Sequence, residues 1–254
     1  MTTETNLQKG ATSVDTRRWE GSNTTCSFSF THYRQMLQKL KSQGYTFYTC
    51  KQFFSIERPQ EPYIVLRHDI EYYPEKAVEF ARIEKELEIQ STFFFRVHAK
   101  EYNLFNYKYY TNLKEIASLG HEIGLHAETM DFAYISGENP NDVIIKEKEY
   151  LSFLLGKSIY GVSPHGDLSE FNNIDFWKNT PAENFGFMYM AYEDHFFNST
   201  TYISDSLGRW KQYPNKSKQF HPISCLCQAA LTKQNIYVLI HPRTWYNKAY
   251  FLEY

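Results

Sequence analysis

Short segments made almost wholly of apolar residues recur along this chain, and stretches with helical periodicity separate them. Such segments are YIVL at 63–66, STFFF at 91–95, EIGLH at 122–126 and IYVLIH at 236–241. A strand that is buried on both faces of a sheet reads as a continuous apolar run, because helices cover it on either side. The alternation therefore predicts an α/β protein built on a parallel sheet.

The number of these units indicates how the sheet is arranged. Three further strands are predicted at 159–163, 187–191 and 201–204, and the intervening helices at 30–43, 74–88, 112–120, 140–155, 169–178 and 222–233. Roughly seven strand–helix units favour a β/α barrel of irregular shape. An open doubly wound sheet is the alternative, although the chain has no glycine-rich phosphate loop to support it. In both folds, active sites lie at the carboxyl ends of the strands.

The composition sets further bounds on the protein. The chain has 254 residues, of which 42% are hydrophobic, and we predict a flexible segment over residues 1–25 followed by one domain over 26–254. The net charge of −2 argues against a nucleic-acid partner. No apolar run is long enough to span a bilayer and the first residues do not resemble a signal peptide, so we predict a cytoplasmic location. Nothing in the sequence indicates the oligomeric state.

The chain has four cysteines, a number compatible with reduced thiols in the cytoplasm. Cys225 and Cys227 have the spacing of half a metal site. No second pair of cysteines lies near them in the sequence, so we do not predict a metal there.

Ionisable residues follow five of the predicted strands. These residues are Arg67, His68, Asp69 and Glu71 after the first strand, His126 and Glu128, His165, Asp205 with Arg209, and His241. Histidines and a carboxylate near one another can bind a divalent metal, and a further carboxylate and histidine can act as base and acid. The residue types favour metal-assisted hydrolysis over serine chemistry, since no serine stands in a G-x-S-x-G turn.

Five motifs in this order resemble one known family. They are LRHDIEYYPEKA, STFFFR, GHEIGLH, YISDSLGRW and LIHP, which together span about residues 63–245. The chain resembles the polysaccharide deacetylases of carbohydrate esterase family four, in a divergent branch associated with surface-polysaccharide biosynthesis. The resemblance implies a distorted (β/α)7 barrel with a divalent metal, usually zinc, held by an aspartate and two histidines. It also implies removal of acetyl groups from sugars, with an aspartate as general base and a histidine as general acid.

The resemblance carries roles to individual residues. Asp69 matches the acid of the first motif, His126 matches the first metal histidine, His241 matches the general acid, and Asp205 matches the carboxylate that raises the pKa of that histidine. Trp210 matches an aromatic residue that lines the acetate pocket.

The chain departs from the family pattern at three positions. The first motif usually has two adjacent aspartates, whereas here Glu71 is the next acid after Asp69, and which of them is base and which is ligand stays open. We assign Asp69 as ligand and Glu71 as base. A second metal histidine is expected at position 130, which is Met130. The substitutes are His165, which we include in the predicted ligand set, and Glu128 or His68. The usual third-motif arginine is also absent, and Arg67 or Arg209 would supply its charge towards the substrate.

The sequence therefore predicts a metal-dependent hydrolase that removes an acyl group, N-acetyl in the first instance, from an amino sugar. The substrate would be a polysaccharide or a lipid- or nucleotide-linked saccharide. The alternatives are a deformylase or other amide hydrolase on the same scaffold, and a metal-free relative that binds carbohydrate without catalysis.

Overall fold

One curved sheet runs through the protein in a computed structural model, which describes residues 26–166, 170–213, 221–223 and 225–246. The flexible segment predicted over residues 1–25 lies outside the described residues. The strands are β1 (Thr46–Tyr48), β2 (Tyr63–Ile70), β3 (Thr92–Phe95), β4 (Glu122–Ala127), β5 (Gly161–Pro164), β6 (Tyr189–Met190), β7 (Thr201–Ser204), β8 (Lys211–Tyr213), β9 (His221–Pro222) and β10 (Ile236–Ile240).

Helices connect most of these strands. They are α1 (Phe30–Ser42), α2 (Cys50–Ser55), α3 (Pro74–Glu86), α4 (Tyr107–Ser118), α5 (Thr129–Ser136), α6 (Pro140–Leu155), α7 (Asp194–Phe197) and α8 (Leu226–Ala229). Two of them begin as their sequences predict, α3 with a proline in its first turn and α6 with the Asn139 side chain capping its amino end. No described helix has both the length and the apolar composition needed to cross a membrane.

The strand order identifies the architecture as an incomplete barrel. Seven parallel strands follow one another in the order β6, β5, β4, β3, β2, β10 and β7. The first long strand thus lies beside the last one, as in a closed barrel. Within the described residues, β6 and β7 are edges of this parallel set, and β8 and β9 extend it from β7 in antiparallel fashion. The predicted α/β barrel is confirmed, with one open seam.

Aromatic side chains fill the interior of the barrel and span the seam. Successive side chains of a strand face opposite sides, so Tyr63 and Val65 of β2 face inwards together with Phe94, Tyr189 and Tyr237. The Tyr237 hydroxyl donates a hydrogen bond of 2.9 Å to the carbonyl oxygen of Ala191, just after β6. A side chain of β10 therefore contacts the backbone just after β6, although the two strands are not paired.

Two glycines make room for this packing. A Cβ atom on Gly124 would lie 2.4 Å from the ring of Phe94, and one on Gly161 would lie 2.1 Å from the ring of Tyr189. Both distances are far shorter than van der Waals contact. The glycine inside the apolar segment EIGLH is thus required by the close approach of an aromatic ring.

Helix α2 closes the amino end of the barrel. Thr49 caps it in a capping box with Gln52. The backbone N–H groups of Cys50 and Lys51 donate to the side chains of Thr92 and Glu122, at the starts of β3 and β4. These bonds satisfy the polar side chains of Thr92 and Glu122 at the starts of the two strands.

Several elements differ from their predictions, among them the following three. Strand β2 continues to Ile70 instead of ending at 66, because its polar residues find partners on both faces of the sheet. The helix predicted from Pro222 is wrong at its start, where β9 pairs at the sheet edge and the absence of a proline N–H is tolerated. Part of the helix predicted at 169–178 lies outside the described residues, and its described part holds a 3-10 turn at Asp175–Lys178.

Candidate active site

The carboxyl ends of the parallel strands form a mouth lined by ionisable side chains. Alternation along β2 directs Arg67 and Asp69 into the barrel, and the same alternation directs His126 of β4 inwards. In the register of the sheet, His126 lies beside Ser163 of β5. Glu71 follows β2, and His165 follows β5.

Three of these residues form a cluster with the geometry of a metal site. One ligand atom each from Glu71, His126 and His165 lies within 4.8 Å of the other two. The imidazoles are 2% and 8% exposed, and Glu71 is partly buried. Two histidines and a glutamate are a ligand set found in catalytic zinc sites.

Hydrogen bonding leaves a ring nitrogen of each histidine facing the cluster. His126 Nδ1 lies 2.9 Å from the carbonyl oxygen of Ser163, so Nδ1 carries the proton and Nε2 has a lone pair. Among the described residues, neither His126 Nε2 nor His165 Nδ1 has a hydrogen-bond partner, although both atoms are buried. Burial, aided by the charge of neighbours such as His126 and Arg96, lowers the pKa of His165 to about 2. Buried imidazole nitrogens that no described protein group engages fit a divalent cation at this position.

Asp69 lies next to the cluster and is held by its own contacts with Ser163 and Arg67. Its Oδ2 accepts a hydrogen bond of 3.4 Å from the Ser163 hydroxyl and lies 3.8 Å from an Arg67 nitrogen. The same Oδ2 is 3.8 Å from His126 Nε2, whereas Oδ1 is buried and has no partner among the described residues. Arg67 donates to the Ser163 hydroxyl at 2.8 Å and is fully buried, with its guanidinium 4.5 Å from the centre of the Tyr192 ring. Arg67 therefore lies in the barrel interior beside Asp69 and, together with Ser163, holds its carboxylate in position.

His241 and Asp205 form a hydrogen-bonded pair beside the cluster. His241 Nδ1 lies 2.7 Å from Asp205 Oδ1, and Trp245 donates from Nε1 to Oδ2 at 2.8 Å. Burial by itself lowers the pKa of His241, but the hydrogen bond and charge of Asp205 outweigh it and raise the pKa. His241 Nε2 is 3.7 Å from Glu71 Oε1. Asp205 thus favours the charged form of an imidazole that faces the cluster.

Two arginines that the sequence reasoning missed pair with the acids of the mouth. Arg96 contacts Glu128 Oε1 at 2.6 Å, and Arg243 contacts Glu71 Oε2 at 2.7 Å. Both arginines follow a strand, β3 and β10, so the strand-end rule applied to the histidines would have found them. Their partners would not have followed from that rule.

Several predicted site residues lie elsewhere. His68 faces outwards from β2, where it bonds Glu84 at 2.7 Å and stacks on Phe93, so it does not reach the mouth. Arg209 is exposed, and Trp210 packs on Phe28 in the outer core. Glu128, by contrast, lies at the mouth, where it pairs with Arg96 and its Oε1 is 3.7 Å from His165 Nδ1, but it is not part of the cluster. The backbone of Met130 bonds Asn173, and His165 is the second histidine of the cluster.

Comparisons with known proteins give weak likenesses to solved structures. No family model and no curated protein matches the chain. The chain resembles the deacetylase PplD from Streptococcus pyogenes in complex with acetate, at 17% identity and a TM-score of 0.41, over 56% of this chain and 65% of that one. The chain thus spans less than two thirds of that protein.

Two further structures have similar scores. The polysaccharide deacetylase Bc1974 from Bacillus cereus is 17% identical, with a TM-score of 0.43 over 73% of this chain and 81% of that one. Wild-type BA3943, a CE4 family pseudoenzyme from Bacillus anthracis, is 13% identical, with a TM-score of 0.42 over 73% and 56%. What this chain does has to be inferred from its own residues.

Proposed function

We propose that the chain is a metal-dependent hydrolase that removes an acyl group, N-acetyl in the first instance, from an amino sugar of a saccharide. One observation carries the proposal. A cluster of two imidazoles and a carboxylate lies beside a third imidazole that is hydrogen-bonded to a buried aspartate. A cytoplasmic location, as expected from the sequence, favours a lipid- or nucleotide-linked saccharide over a finished polymer.

The cluster would hold the cation through Glu71, His126 and His165, and zinc suits two histidines with one glutamate. When bound, the cation would polarise the acyl oxygen and acidify the attacking water. The ligand set differs from the expectation that Asp69 binds metal and Glu71 is the base. Within the described residues, the carboxylate that groups with both histidines within 4.8 Å is that of Glu71, whereas Asp69 Oδ2 lies 3.8 Å from His126 Nε2.

Asp69 then acts as the general base. Its Oδ2 is fixed by Ser163 and Arg67, which leaves the unpartnered Oδ1 to accept the proton of water as water adds to the acyl carbon.

His241 acts as the general acid. An amine leaves only when its nitrogen is protonated, and the Nε2 proton of His241 goes to that nitrogen as the carbon–nitrogen bond breaks. The products are a carboxylic acid and a free amino sugar. Asp205 orients the ring through Nδ1 and stabilises its charged form.

A metal-free protein that binds carbohydrate is the second candidate. The ion pair of 2.7 Å between Arg243 and Glu71 favours it, because a guanidinium can neutralise Glu71 without a cation. A hydrolase for formyl or another acyl group would share the residues proposed above.

The test measures metal content and product together. Wild-type protein and His126→Ala are loaded with zinc, and each is assayed for release of acetate and of formate from N-acylated amino sugars. We expect His126→Ala to hold one metal ion fewer per chain and to be inactive. Equal metal content in the two proteins, with no acid released by either, would leave the carbohydrate-binding alternative. Release of formate without acetate would change the acyl group and keep the mechanism.

A further inference from the structure

A second cluster of metal-ligand side chains lies outside the mouth, where α1 meets α8. It consists of Cys26, His32, Cys225 and Cys227, and one ligand atom from each lies within 4.8 Å of all the others. Cys26 Sγ is 3.5 Å from Cys227 Sγ, and His32 Nε2 is 3.1 Å from Cys225 Sγ. Cys225 is fully buried, and His32 is 9% exposed. This cluster takes no part in the proposed reaction.

The distances match a tetrahedral ligand shell. Zinc–sulfur bonds of about 2.3 Å in a tetrahedron place neighbouring sulfur atoms about 3.8 Å apart, and sulfur and nitrogen ligands slightly closer. Three cysteines and one histidine are a closed set that leaves no position for water or substrate, as in structural zinc sites. Thiolate ligands also exclude magnesium and calcium, which prefer oxygen.

The local fold holds the ligands in place before any metal arrives. The Ser29 hydroxyl accepts a hydrogen bond of 3.1 Å from the backbone N–H of His32, which fixes the first turn of α1. The backbone N–H of Cys227 points to Cys225 Sγ at 3.5 Å, a contact made in thiolate sites. Lys39 of α1 lies 3.5 Å from the Cys227 carbonyl oxygen, so α1 and α8 are already in contact.

We propose that Cys26, His32, Cys225 and Cys227 bind one structural zinc ion that joins the start of α1 to the segment before β10. The ligands come from opposite ends of the domain, and Cys26 and Cys227 are 201 positions apart. A metal crosslink over so long a loop removes conformational freedom from the unfolded chain and stabilises the fold. Strand β10, which carries His241 at its end, begins nine residues after Cys227.

Cobalt distinguishes this site from the cluster at the mouth. Cobalt bound to thiolate gives a charge-transfer band in the near-ultraviolet, and the cluster at the mouth contains no thiolate. We expect reduced wild-type protein, stripped of metal and titrated with cobalt, to develop this band, and the end point should be one ion per chain in His126→Ala, which lacks the site at the mouth. His126→Ala should keep the band. A Cys225→Ser, Cys227→Ser double variant should lose it.

The matched control is Cys50→Ala, which removes the fourth cysteine, located in the barrel interior, and should keep the band. Should the double variant fail to fold, the wild-type titration still decides, together with the thermal midpoint measured before and after metal removal. That midpoint should fall when metal is removed and recover with zinc. A wild-type protein that binds cobalt without the thiolate band, or binds none, would overturn the proposal, and so would a Cys26–Cys227 disulfide that persists in reductant.

Discussion

Asp205 binds two groups of His241, the imidazole ring and the backbone N–H. Its Oδ1 lies 2.7 Å from the ring nitrogen Nδ1 and accepts the backbone N–H of His241 at 2.9 Å. A single carboxylate thus fixes the orientation of the imidazole and raises its pKa against the effect of burial.

Asp205→Asn should lower the rate without removing metal. The carboxylate raises the pKa of His241, so its loss lowers that pKa and moves the alkaline limb of the pH–rate profile to lower pH. We expect kcat to fall by about 100-fold near neutral pH, within the range of general acid catalysis. The measurements are pH profiles of deacylation and metal content. Loss of a metal ion, or an unchanged alkaline limb, would contradict the assigned role.

Variants of Glu71 and Asp69 should distinguish metal binding from proton transfer. Glu71→Gln is expected to lose the metal ion of the mouth, because an amide is a much weaker ligand than a carboxylate. Asp69→Asn should keep the ion and lose activity by about 10²–10⁴-fold, as the removal of a general base does. Elemental analysis beside the activity assay distinguishes the two variants. The opposite pattern would restore the assignment expected from the sequence.

The strand-end rule predicted much of the mouth, because residues that follow parallel strands meet at one edge of a sheet. It brought together His126, His165 and His241 from sequence alone. The rule failed at β2, because this strand continues for four residues beyond the apolar segment 63–66. Side chains alternate there, so His68 is buried against Glu84 on the outer face.

Partner choice could not be predicted in the same way. Which acid pairs with Arg96 depends on the relative height of β3 and β4, and single-sequence patterns do not carry that information. The cluster of cysteines and a histidine was not predicted for a related reason, since its ligands come from the two ends of the domain. Proximity in sequence, which argued against a site at Cys225 and Cys227, is a poor guide when a barrel brings first and last elements together.

Arg96→Met should destabilise the protein more than the loss of an exposed arginine. Glu128 is 3% exposed in its side chain and would be left with a buried, uncompensated charge, which costs about 3 kcal/mol or more. Arg82→Met is the matched control, since Arg82 is 49% exposed and pairs with Glu115 at the surface, a contact worth less than about 1 kcal/mol. Urea unfolding measures both.

Glu128→Gln tests the same pair from the other side. Because Arg96 engages Glu128 and the metal cluster does not include it, this variant should keep the metal ion of the mouth. A lost ion would make Glu128 a ligand.

Glu147→Gln should stabilise the protein at alkaline pH. Burial raises the pKa of Glu147 to about 8, although its oxygens accept bonds from Glu128 N–H and the Thr129 hydroxyl. The folded state therefore favours the protonated acid. Its contribution to stability is complete below the unfolded pKa of about 4.3 and is lost as pH rises through about 8. The advantage of Gln in free energy of unfolding should grow by a few kcal/mol, on the order expected for such a shift, between acidic and alkaline pH. An advantage that does not change with pH would contradict this account.

Gly161→Ala should distort the strand that carries the second metal histidine. The added Cβ would lie 2.1 Å from the Tyr189 ring, and that ring cannot turn freely because its hydroxyl bonds Glu122 at 2.7 Å. Overpacking of this kind costs about 1–3 kcal/mol. Because β5 leads to His165, we also expect weaker metal binding at the mouth. Gly166→Ala is the control for stability, since its Cβ would meet no atom within 4 Å.

Combining Tyr189→Leu with Gly161→Ala tests whether the tyrosine ring is the group that the alanine would strike. Leucine lacks the ring atoms that the new Cβ would strike, so the double variant should be more stable than the sum of the two single losses predicts. Urea unfolding of the four proteins gives that coupling energy directly. Strict additivity would mean that the barrel relaxes around the alanine, and the glycine in β5 would then not be required by the tyrosine.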